Sequence, residues 1–423
     1  MTKLRFLLKR IASKLWVKPT LMSLAAIGWV AIAYFGQRFD RGNWPIDIDR
    51  ETLLNLFGIL ASTMLTVATF SVSAIAAAYA SVASSASPRA TRIVMSDRQV
   101  QSTLGAFLAT FIYAVIAITA LSAVPFGPSG RFLLFCGFVG LVGWVLVSFL
   151  RWVDRVSRLG RLGDTIERVS RVARELFDDP KRLGCFGARP ASGLPAAGTA
   201  IPAQGFGYVQ HVDVERLQAI AEEVDGQVSL AVRPGSFLVR GMRLAVVSCK
   251  KAPPDDLEDR IAQAISVGPD RWIDTDPRFA LILLGEIADR ALSPAVNDPG
   301  TAIAILTVDV ELLAQWAQHE LAGRTQQEVT FDRVSIPPLA VEDLVQDAFT
   351  PLIRDGAGIF EVGVRLQKTL WALTQVGHDG LAEAARQSAR MALDAAQAVL
   401  QPPQHLQALR DVARECGVEA PTS

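Results

Sequence analysis

The chain has 423 residues, with 42 basic and 42 acidic side chains and therefore no net charge. A nucleic-acid-binding protein needs a basic surplus, so this balance argues against one. Half of the residues are hydrophobic, and the mean hydropathy of +0.29 is high for a soluble protein. The four cysteines include no CxxC pair, which argues against a disulfide scaffold and against the common zinc modules.

The apolar residues are concentrated in the first third of the chain, in four windows without Asp, Glu, Lys or Arg. These windows are 19–37, 52–88, 99–130 and 132–150. A helix needs about 20 apolar residues to cross a hydrocarbon core about 30 Å thick. Four such windows in close succession predict an α-helical multi-pass membrane domain with four transmembrane helices, at roughly 20–37, 53–80, 101–124 and 132–150.

The first window also has two features of a signal peptide. Basic residues precede it, and Ala31-Ile32-Ala33 imitates a cleavage site. Its apolar run is long for a signal peptide, however, and the later spans need an even number of crossings to match the flanking charges. We therefore expect this window to remain in the protein as a transmembrane helix.

Lys and Arg near the span ends predict the orientation, because they are enriched on the cytoplasmic side. Thirteen would lie on one side: Lys3, Arg5, Lys9, Arg10, Lys14, Lys18, Arg89, Arg92, Arg98, Arg151, Arg155, Arg158 and Arg161. Four would lie on the other side: Arg38, Arg41, Arg50 and Arg131. We therefore predict a bacterial cytoplasmic (inner) membrane protein with both termini in the cytoplasm, where unpaired cysteines stay reduced.

The second window is unusually long. As one continuous helix it would extend about 55 Å, so it either tilts strongly or continues beyond the bilayer. Within it, Ser62, Thr66, Thr69 and Ser73 follow one another at spacings of 4, 3 and 4, which places four hydroxyls on one helix face. This hydroxyl face either lets helices approach closely or lines a pore or wet cavity, for example at an oligomer axis.

No predicted span contains an ionisable carboxylate, Lys, Arg or His. A pump coupled to protons or ions normally has at least one such group within the membrane. If a solute crosses here, passive permeation therefore fits the sequence better than coupled transport.

The rest of the chain is predicted to be a cytoplasmic α+β domain. Its first segment has apolar residues at helical spacing, namely Ile166, Val169, Ala173, Leu176 and Phe177. The stretch 185–207 is dominated by Gly, Pro and Ala and predicts a linker. The predicted order is a basic tail (1–19), the transmembrane domain (20–150), a membrane-proximal helix (151–184), the linker (185–207), a small β-rich module (208–250), a helical domain (251–402) and a loosely ordered tail (403–423).

The β-rich module is predicted from a strand at 208–212, a helix capped by Asp213, and two strand-like runs at 227–233 and 237–247. Pro234-Gly235 supplies the turn between the two runs. The phrase 232–244 resembles the β-hairpin of lipoyl-like and membrane-fusion-protein barrel-sandwich domains. It lacks the exposed lysine that would carry lipoate or biotin, so we expect a structural module and no cofactor.

The helical domain is predicted to contain helices near 255–267, 278–292, 301–321, 341–354, 359–377 and 380–400, with one strand at 328–336. The connector 293–300 has two prolines around Asn297 and Asp298, which predicts a rigid loop and a helix start. Asp289, Ser293, Asn297, Asp298 and Thr301 form a candidate ligand site around it. Helix capping and loop rigidity are the alternative interpretation, and we favour them.

Signatures of enzymes are poor. The sequence has no P-loop, no GxSxG elbow and no HExxH motif. Its two GxG phrases lack the full dinucleotide fingerprint, and its four histidines are scattered without the spacing of metal ligands. We therefore predict no catalytic residues, no metal and no cofactor.

Two phrases carry a family resemblance. One is 62–67 with 84–89, and the other is 276–280 with 291–302, which contains Asn297-Asp298-Pro299. Together with the four-span head and the segment 207–210, they resemble the bacterial family of predicted membrane proteins called domain of unknown function 2254, over residues 16 to about 316. The alanine-rich stretch 74–83 departs from the usual family pattern. The resemblance implies an architecture and a compartment, and it implies no mechanism because the family has no assigned activity.

Two classes of function stay open. One is a homo-oligomeric membrane scaffold or passive channel-like assembly, in which the cytoplasmic domain serves assembly or gating. The other is a membrane-anchored cytoplasmic ligand sensor or regulatory protein with its site near 293–301. The expected partners are the lipid bilayer and further copies of the chain, without nucleic acid, and the identity of any small-molecule or ion ligand is left open.

Overall fold

The computed structural model describes residues 17–36, 48–85, 89, 98–158, 162–250, 254–323 and 329–418. The chain divides into two compact units. We call them the helical unit, within 8–84 and 91–164, and the C-terminal unit, mainly 165–423. The predicted basic tail up to residue 16, the first connection at 37–47 and most of the second connection lie outside the described residues.

Four long helices form the helical unit, and each coincides with a charge-free window of the sequence. They are α1 (Val17–Gly36), α2 (Arg50–Ser85), α3 (Arg98–Ala123) and α4 (Pro128–Arg158). Helix α2 is uninterrupted for 36 residues, which corresponds to about 54 Å. The prediction of one long second helix is therefore confirmed, and this helix is longer than a hydrocarbon core is thick.

Successive helices of this unit alternate in direction. Near the end of α1, Trp29 Nε1 donates a hydrogen bond to Leu133 O near the start of α4, at 3.1 Å. At the start of α2, Arg50 Nε donates to Leu121 O near the end of α3, at 2.8 Å. A short loop joins α3 to α4, and these two helices pack against each other. An up-and-down bundle results.

Aromatic packing holds the centre of the helical unit. The rings of Phe57 and Tyr113 meet edge to face at 5.5 Å, and both side chains are fully buried. The Tyr113 hydroxyl donates to Leu134 O at 2.7 Å. A methyl group at Gly137 would lie 2.5 Å from Trp29 Nε1 and from Tyr113 Oη, so α4 needs glycine at this close approach.

The C-terminal unit combines two sheets with a layer of helices. Its elements are α5 (Leu162–Phe177), α6 (Pro180–Leu183), β1 (Ala188–Pro190), β2 (Thr199–Pro202), β3 (Gly207–Val212), α7 (Val214–Glu223), β4 (Gly226–Leu230), β5 (Phe237–Leu238), β6 (Arg243–Cys249), α8 (Leu257–Ala264), β7 (Ile265–Gly268), a 3-10 turn (Ile273–Thr275), α9 (Pro277–Leu292), α10 (Pro299–Leu321), β8 (Phe331–Ile336), α11 (Val341–Gly356), α12 (Phe360–Thr374), α13 (Asp379–Val399) and α14 (Pro403–Glu415).

Five strands form the larger sheet, in the order β1-β8-β4-β6-β2, and β5-β3-β7 form a smaller one. Strand β4 is antiparallel to β6, with Val228 opposite Val247, and parallel to β8, with Val228 opposite Val334. These three valines are buried in one core together with Leu217 of α7. The β-branched row across three strands fixes the register by its burial.

The segment 185–207, predicted to be a linker, instead contributes two strands. Pro190 of β1 pairs with Ile336 of β8, and Ile201 of β2 pairs with Ala245 of β6. Ile201 is completely buried. Each strand has only three or four residues, so the surrounding Gly, Pro and Ala dominate the local composition while the pairing depends on distant partners.

The predicted hairpin over 227–247 is divided between the two sheets. Strand β4 pairs with β6 in the larger sheet, whereas β5 pairs with β3 in the smaller one. The larger sheet also needs strands from 188–202 and 331–336. Residues 208–250 therefore do not form the self-contained barrel-sandwich-like module that the sequence suggested.

Helices α9 to α13 confirm five of the helices predicted after residue 255. The helix predicted near 255–267 is shorter, because α8 ends at Ala264 and Ile265–Gly268 pairs with β3 as strand β7. The prediction of a loosely ordered tail after residue 403 was wrong, because these residues form helix α14. Leu409 and Ala413 of this helix are buried in a cluster with Leu393 and Ala396 of α13. Its packing depends on α13 and α12, which local periodicity does not reveal.

Among the residues that the structure describes, five helices are long and apolar enough to cross a membrane, one more than predicted. The fifth is α10, in the C-terminal unit, where it packs against α9, α11 and α12. Asp309 lies fully buried in the middle of α10, and Glu311 forms a two-point ion pair with Arg174 of α5. Apolar content therefore serves interior packing in this helix.

Candidate functional site

The predicted site at 293–301 is a tightly bonded helix connection. Asp298 caps α10, because its Oδ1 accepts from Thr301 N at 3.1 Å and its Oδ2 from the Thr301 hydroxyl at 2.7 Å. These bonds to the charged form lower the pKa of Asp298. Asn297 has a φ of 49°, a left-handed conformation that asparagine tolerates better than most residues.

Further bonds fold the connection back onto the end of α9. Ser293 Oγ donates to Arg290 O at 2.7 Å, and Asn297 N donates to Ser293 O at 2.9 Å. Asp298 N donates to Ala291 O at 2.8 Å. Ser293, Asp298 and Thr301 thus satisfy groups of the connection itself, which is the structural role that capping and loop rigidity require.

Asp289, the fifth predicted residue, is engaged elsewhere. Its Oδ2 pairs with Arg354 of α11 at 3.1 Å, and Arg354 also holds Asp355 at 2.7 Å. Burial, and then the neighbouring Asp355 carboxylate, raise the pKa of Asp289 to about 6. The structure therefore gives Asp289 and Asp298 different partners.

A buried charge cluster at the start of α9 was missed from the sequence. Arg271 holds Asp276 with two hydrogen bonds, Nε to Oδ2 at 2.6 Å and Nη2 to Oδ1 at 2.9 Å. Asp276 is only 1% exposed, and its Oδ1 also accepts from Phe279 N at 3.2 Å, which caps α9. From the sequence, 276–280 served only for the family resemblance, and Asp276 was not connected with Arg271.

The same cluster joins the sheets to the helices of the C-terminal unit. Arg278 of α9 pairs with Asp343 and, at 2.6 Å, with Asp347 of α11. Arg233, which follows β4, is buried and donates Nη1 to Pro337 O at 3.1 Å. Burial lowers the pKa of Arg233 to about 10. This arrangement fixes elements of the C-terminal unit in place through paired charges.

The hydroxyl face of α2 is exposed within the single chain. Ser62, Thr66, Thr69 and Ser73 are all exposed, and each hydroxyl donates to a carbonyl of its own helix. The acceptors are the carbonyls of Ile59, Ser62, Leu65 and Thr69, at 3.0, 3.0, 2.9 and 3.1 Å. The four groups therefore need no further hydrogen-bond partner in an apolar environment.

The side of α2 that packs in the helical unit is the opposite one. Leu53, Phe57, Leu60 and Met64 are buried there in the core cluster. At 3.6 residues per turn, these positions lie about half a turn away from the hydroxyl face. Among the described residues of the helical unit, the apolar side of α2 is thus buried and the hydroxyl side is exposed.

A polar cavity of about 400 Å³ lies on the larger sheet. It is lined by Arg189, Asp225, Gly226, Gln227, Ser248, Cys249, Lys250, Asp332 and Arg333, from β1, β4, β6, β8 and the residues beside them. A methyl group at Gly226 would lie 2.1 Å from Ser248 O, so glycine is required where β4 meets β6. Sequence reasoning missed this cavity because its lining comes from four separate stretches.

Cations predominate slightly in the lining. Asp225 Oδ1 pairs with Arg333 at 3.0 Å, and its Oδ2 lies 3.8 Å from Lys250. Arg189 forms no ion pair within the described part of the chain. Burial raises the pKa of the Cys249 thiol, which keeps it protonated and unreactive at neutral pH. The arrangement suits a small anion and does not suit nucleophilic catalysis.

Metal binding finds no support in the residues that the structure describes. No group of three or more His, Cys, Asp or Glu side chains lies close enough there to hold a metal ion.

A bundle of long apolar helices joined to a sheet-and-helix unit defines an integral membrane protein. More specifically, the chain belongs to the family described as predicted membrane protein DUF2254, whose model matches residues 12–372. This match confirms the family resemblance that the sequence phrases suggested.

Similar curated proteins come from mycobacteria. An uncharacterized protein of Mycobacterium bovis, Mb1321c, and one of Mycobacterium tuberculosis, Rv1290c, are each 33% identical to the chain over 116 residues. The matched stretch covers 26% of this chain and 22% of each relative. No solved structure matches the chain significantly.

Proposed function

We propose that the protein is a homo-oligomeric assembly of the bacterial cytoplasmic membrane, a scaffold or passive channel, built through the hydroxyl face of α2. The observation that carries this proposal is the position of Ser62, Thr66, Thr69 and Ser73. They form a polar stripe along an apolar helix, opposite its packed side and uncovered by the chain itself. Small hydroxyl residues allow close helix approach in membranes.

Two arrangements of copies are compatible with this face. In a scaffold, the hydroxyl faces of neighbouring chains pack directly against each other. In a channel, they surround a wet lumen. The predicted spans carry no Asp, Glu, Lys, Arg or His, so a lumen would pass solutes passively and without coupling to an ion gradient.

The four helices of the helical unit are the proposed spans. Their alternating directions place the ends of α1 and α3 on one side of the membrane and the ends of α2 and α4 on the other. The excess of Lys and Arg then favours cytoplasmic termini and a cytoplasmic C-terminal unit, which would act in assembly or gating. Helix α10 is assigned to that unit because Asp309 and Glu311 lie in its middle.

The mass of the purified particle tests this proposal. The full chain is extracted in detergent, transferred to nanodiscs and weighed by mass photometry. The proposal expects a defined multimer, and expects Thr66→Leu to shift it toward monomers. Thr63→Leu is the matched control, because Thr63 is also exposed and also bonds its own helix, to Ile59 O at 2.8 Å, but lies about a quarter turn away. A monomeric wild type would refute the proposal.

A second function, a membrane-anchored ligand sensor, is favoured by one observation. The cavity on the larger sheet offers Arg189, which has no ion pair with any described residue, together with Arg333 and Lys250, whereas the bonds of the 293–301 connection are used internally. The probes are inorganic phosphate and succinate, followed by thermal unfolding of the full chain. A rise in Tm that Arg189→Gln abolishes supports a sensor; unchanged melting with both anions counts against it.

A further inference from the structure

An exposed apolar surface lies at one end of the smaller sheet. Strands β3 and β5 are antiparallel, with Tyr208 opposite Phe237 and their rings in edge contact at 5.0 Å. Phe206 comes just before β3 and Val239 comes just after β5, so both residues lie at the same end of the strand pair. Phe206 is 79% exposed, Phe237 50% and Val239 49%. We call Phe206, Tyr208, Phe237 and Val239 the apolar patch.

The turn after β5 adds to this surface. Val239 N contacts Met242 Sδ at 3.3 Å, and Met242 N donates back to Val239 O at 3.0 Å. Met242 is itself 46% exposed. The turn also presents Arg240 and Arg243, which are exposed and form no ion pair with any residue that the structure describes. Apolar and cationic side chains therefore alternate along one short turn.

Basic residues predominate in the sequence around this turn. The sequence from 226 to 254 contains no Asp or Glu, and its basic residues are Arg233, Arg240, Arg243, Lys250 and Lys251. On the β3 side, Asp259 accepts a hydrogen bond from Gln204 Nε2 at 2.6 Å. A partner that covers the turn would therefore meet exposed aromatic and aliphatic groups flanked by free arginines.

We propose that the apolar patch and its two arginines dock onto the anionic phospholipid surface of the membrane. Aromatic and aliphatic side chains enter the boundary between headgroups and acyl chains, while arginines bind anionic headgroups. The chain is itself an integral membrane protein, so the C-terminal unit is tethered near a bilayer at a high effective concentration. Docking would restrain this unit against the membrane, whatever the number of copies in the particle.

The test places a fluorescent probe in the patch of the full chain. Cys136, Cys249 and Cys416 are replaced by Ser, and Val239→Cys is labelled with an environment-sensitive dye. The protein is reconstituted in nanodiscs of phosphatidylcholine alone, or of phosphatidylcholine and phosphatidylglycerol, each containing a lipid-borne quencher. The matched control is the same dye at Asp394→Cys, an exposed position on α13.

Docking predicts that lipid quenches the dye at 239 much more strongly than at 394, and only in the anionic nanodiscs. The double variant Arg240→Gln with Arg243→Gln should lower the ratio of docked to free protein about 30-fold, the combined effect of two basic residues near an anionic surface. Its Tm should stay unchanged, because both arginines are exposed.

Two outcomes would overturn the proposal. One is equal quenching at 239 and 394 in anionic nanodiscs. The other is the absence of lipid quenching for the labelled protein together with a disulfide between the 239 positions of two copies in unlabelled protein, which would make a second copy the occupant. If Val239→Cys does not fold, the dye is placed at Phe206→Cys, the most exposed position of the patch, and the same criteria apply.

Discussion

Arg271 and Asp276 form the most buried ion pair among the described residues, with the Asp276 carboxylate only 1% exposed and the Arg271 side chain 17% exposed. Two hydrogen bonds of 2.6 and 2.9 Å join them. The same carboxylate caps α9 through Phe279 N. One side chain therefore ties the loop before α9 to the helix itself, and the space is so tight that a methyl group at Gly235 would lie 2.4 Å from Asp276 Oδ2.

The first prediction is that the substitution Arg271→Gln destabilises the C-terminal unit. This change leaves the Asp276 carboxylate buried without its cation, and such a loss costs about 3–5 kcal/mol. The free energy of unfolding of the C-terminal unit should fall by about that amount, as measured by denaturant titration of the full chain in detergent. Arg354→Gln, which breaks a more exposed pair, serves as the control and should cost less than about 1 kcal/mol. Equal effects of the two changes would contradict this account.

Substitutions in the 293–300 connection should change stability through helix capping and backbone conformation. Asp298→Ala removes the cap of α10 and should lower stability by about 1 kcal/mol. Asn297→Ala should cost about 1–2 kcal/mol because alanine disfavours a left-handed φ, whereas Asn297→Gly should be nearly neutral. Thermal unfolding checks all three. If Asn297→Gly were as harmful as Asn297→Ala, the side chain would be bound to something and the connection would be a ligand site.

Asp289 should make stability depend on pH. Its pKa rises from the ordinary value of 3.8 to about 6 in the fold, so the folded chain keeps a proton that the unfolded chain has already lost. Stability from this group is therefore complete below about pH 4 and is lost as pH rises toward about 6. Asp289→Asn should flatten this part of the curve, by about 1 kcal/mol after allowing for solvent screening. An unchanged profile from pH 4 to 6 would show that the carboxylate titrates normally.

Topology is tested by reporter fusions. The excess of basic residues predicts that a fusion at residue 45 reports the outside and a fusion at residue 160 the cytoplasm. Activity of paired periplasmic and cytoplasmic reporters in intact cells gives the result. A fusion at 160 that reads as external would invert the orientation of the C-terminal unit.

Sequence alone predicted the elements whose signal is local. The four charge-free windows became α1 to α4, and helical periodicity located α9 to α13. It failed for β1 and β2, because Pro190 and Ile201 owe their strand state to partners at Ile336 and Ala245. It likewise failed for the tail, where Leu409 is buried because α12 and α13 lie beside it.

The candidate sites also differ in whether their signal in the sequence is local. The spacing of the hydroxyl face is a local property of one helix, and the sequence identified it in full. The cavity on the larger sheet is lined by residues from separate stretches, such as Arg189 and Arg333. Arg271 and Asp276 are only five residues apart, but the turn Ile273–Thr275 between them brings the two side chains together. Their chemistry became visible only when the register of the strands and the start of α9 were known.

Cysteine cross-linking at Thr66 and Thr69 in native membranes tests the central claim most directly. With the native cysteines at 136, 249 and 416 replaced by Ser, Thr66→Cys and Thr69→Cys should form disulfides between copies upon mild oxidation, or react with a water-soluble thiol reagent if a lumen lies there. Thr63→Cys should do neither. Labelling of 66 and 69 by a lipid-dissolved reagent, without cross-links, would show that the hydroxyl face meets lipid and would contradict the account.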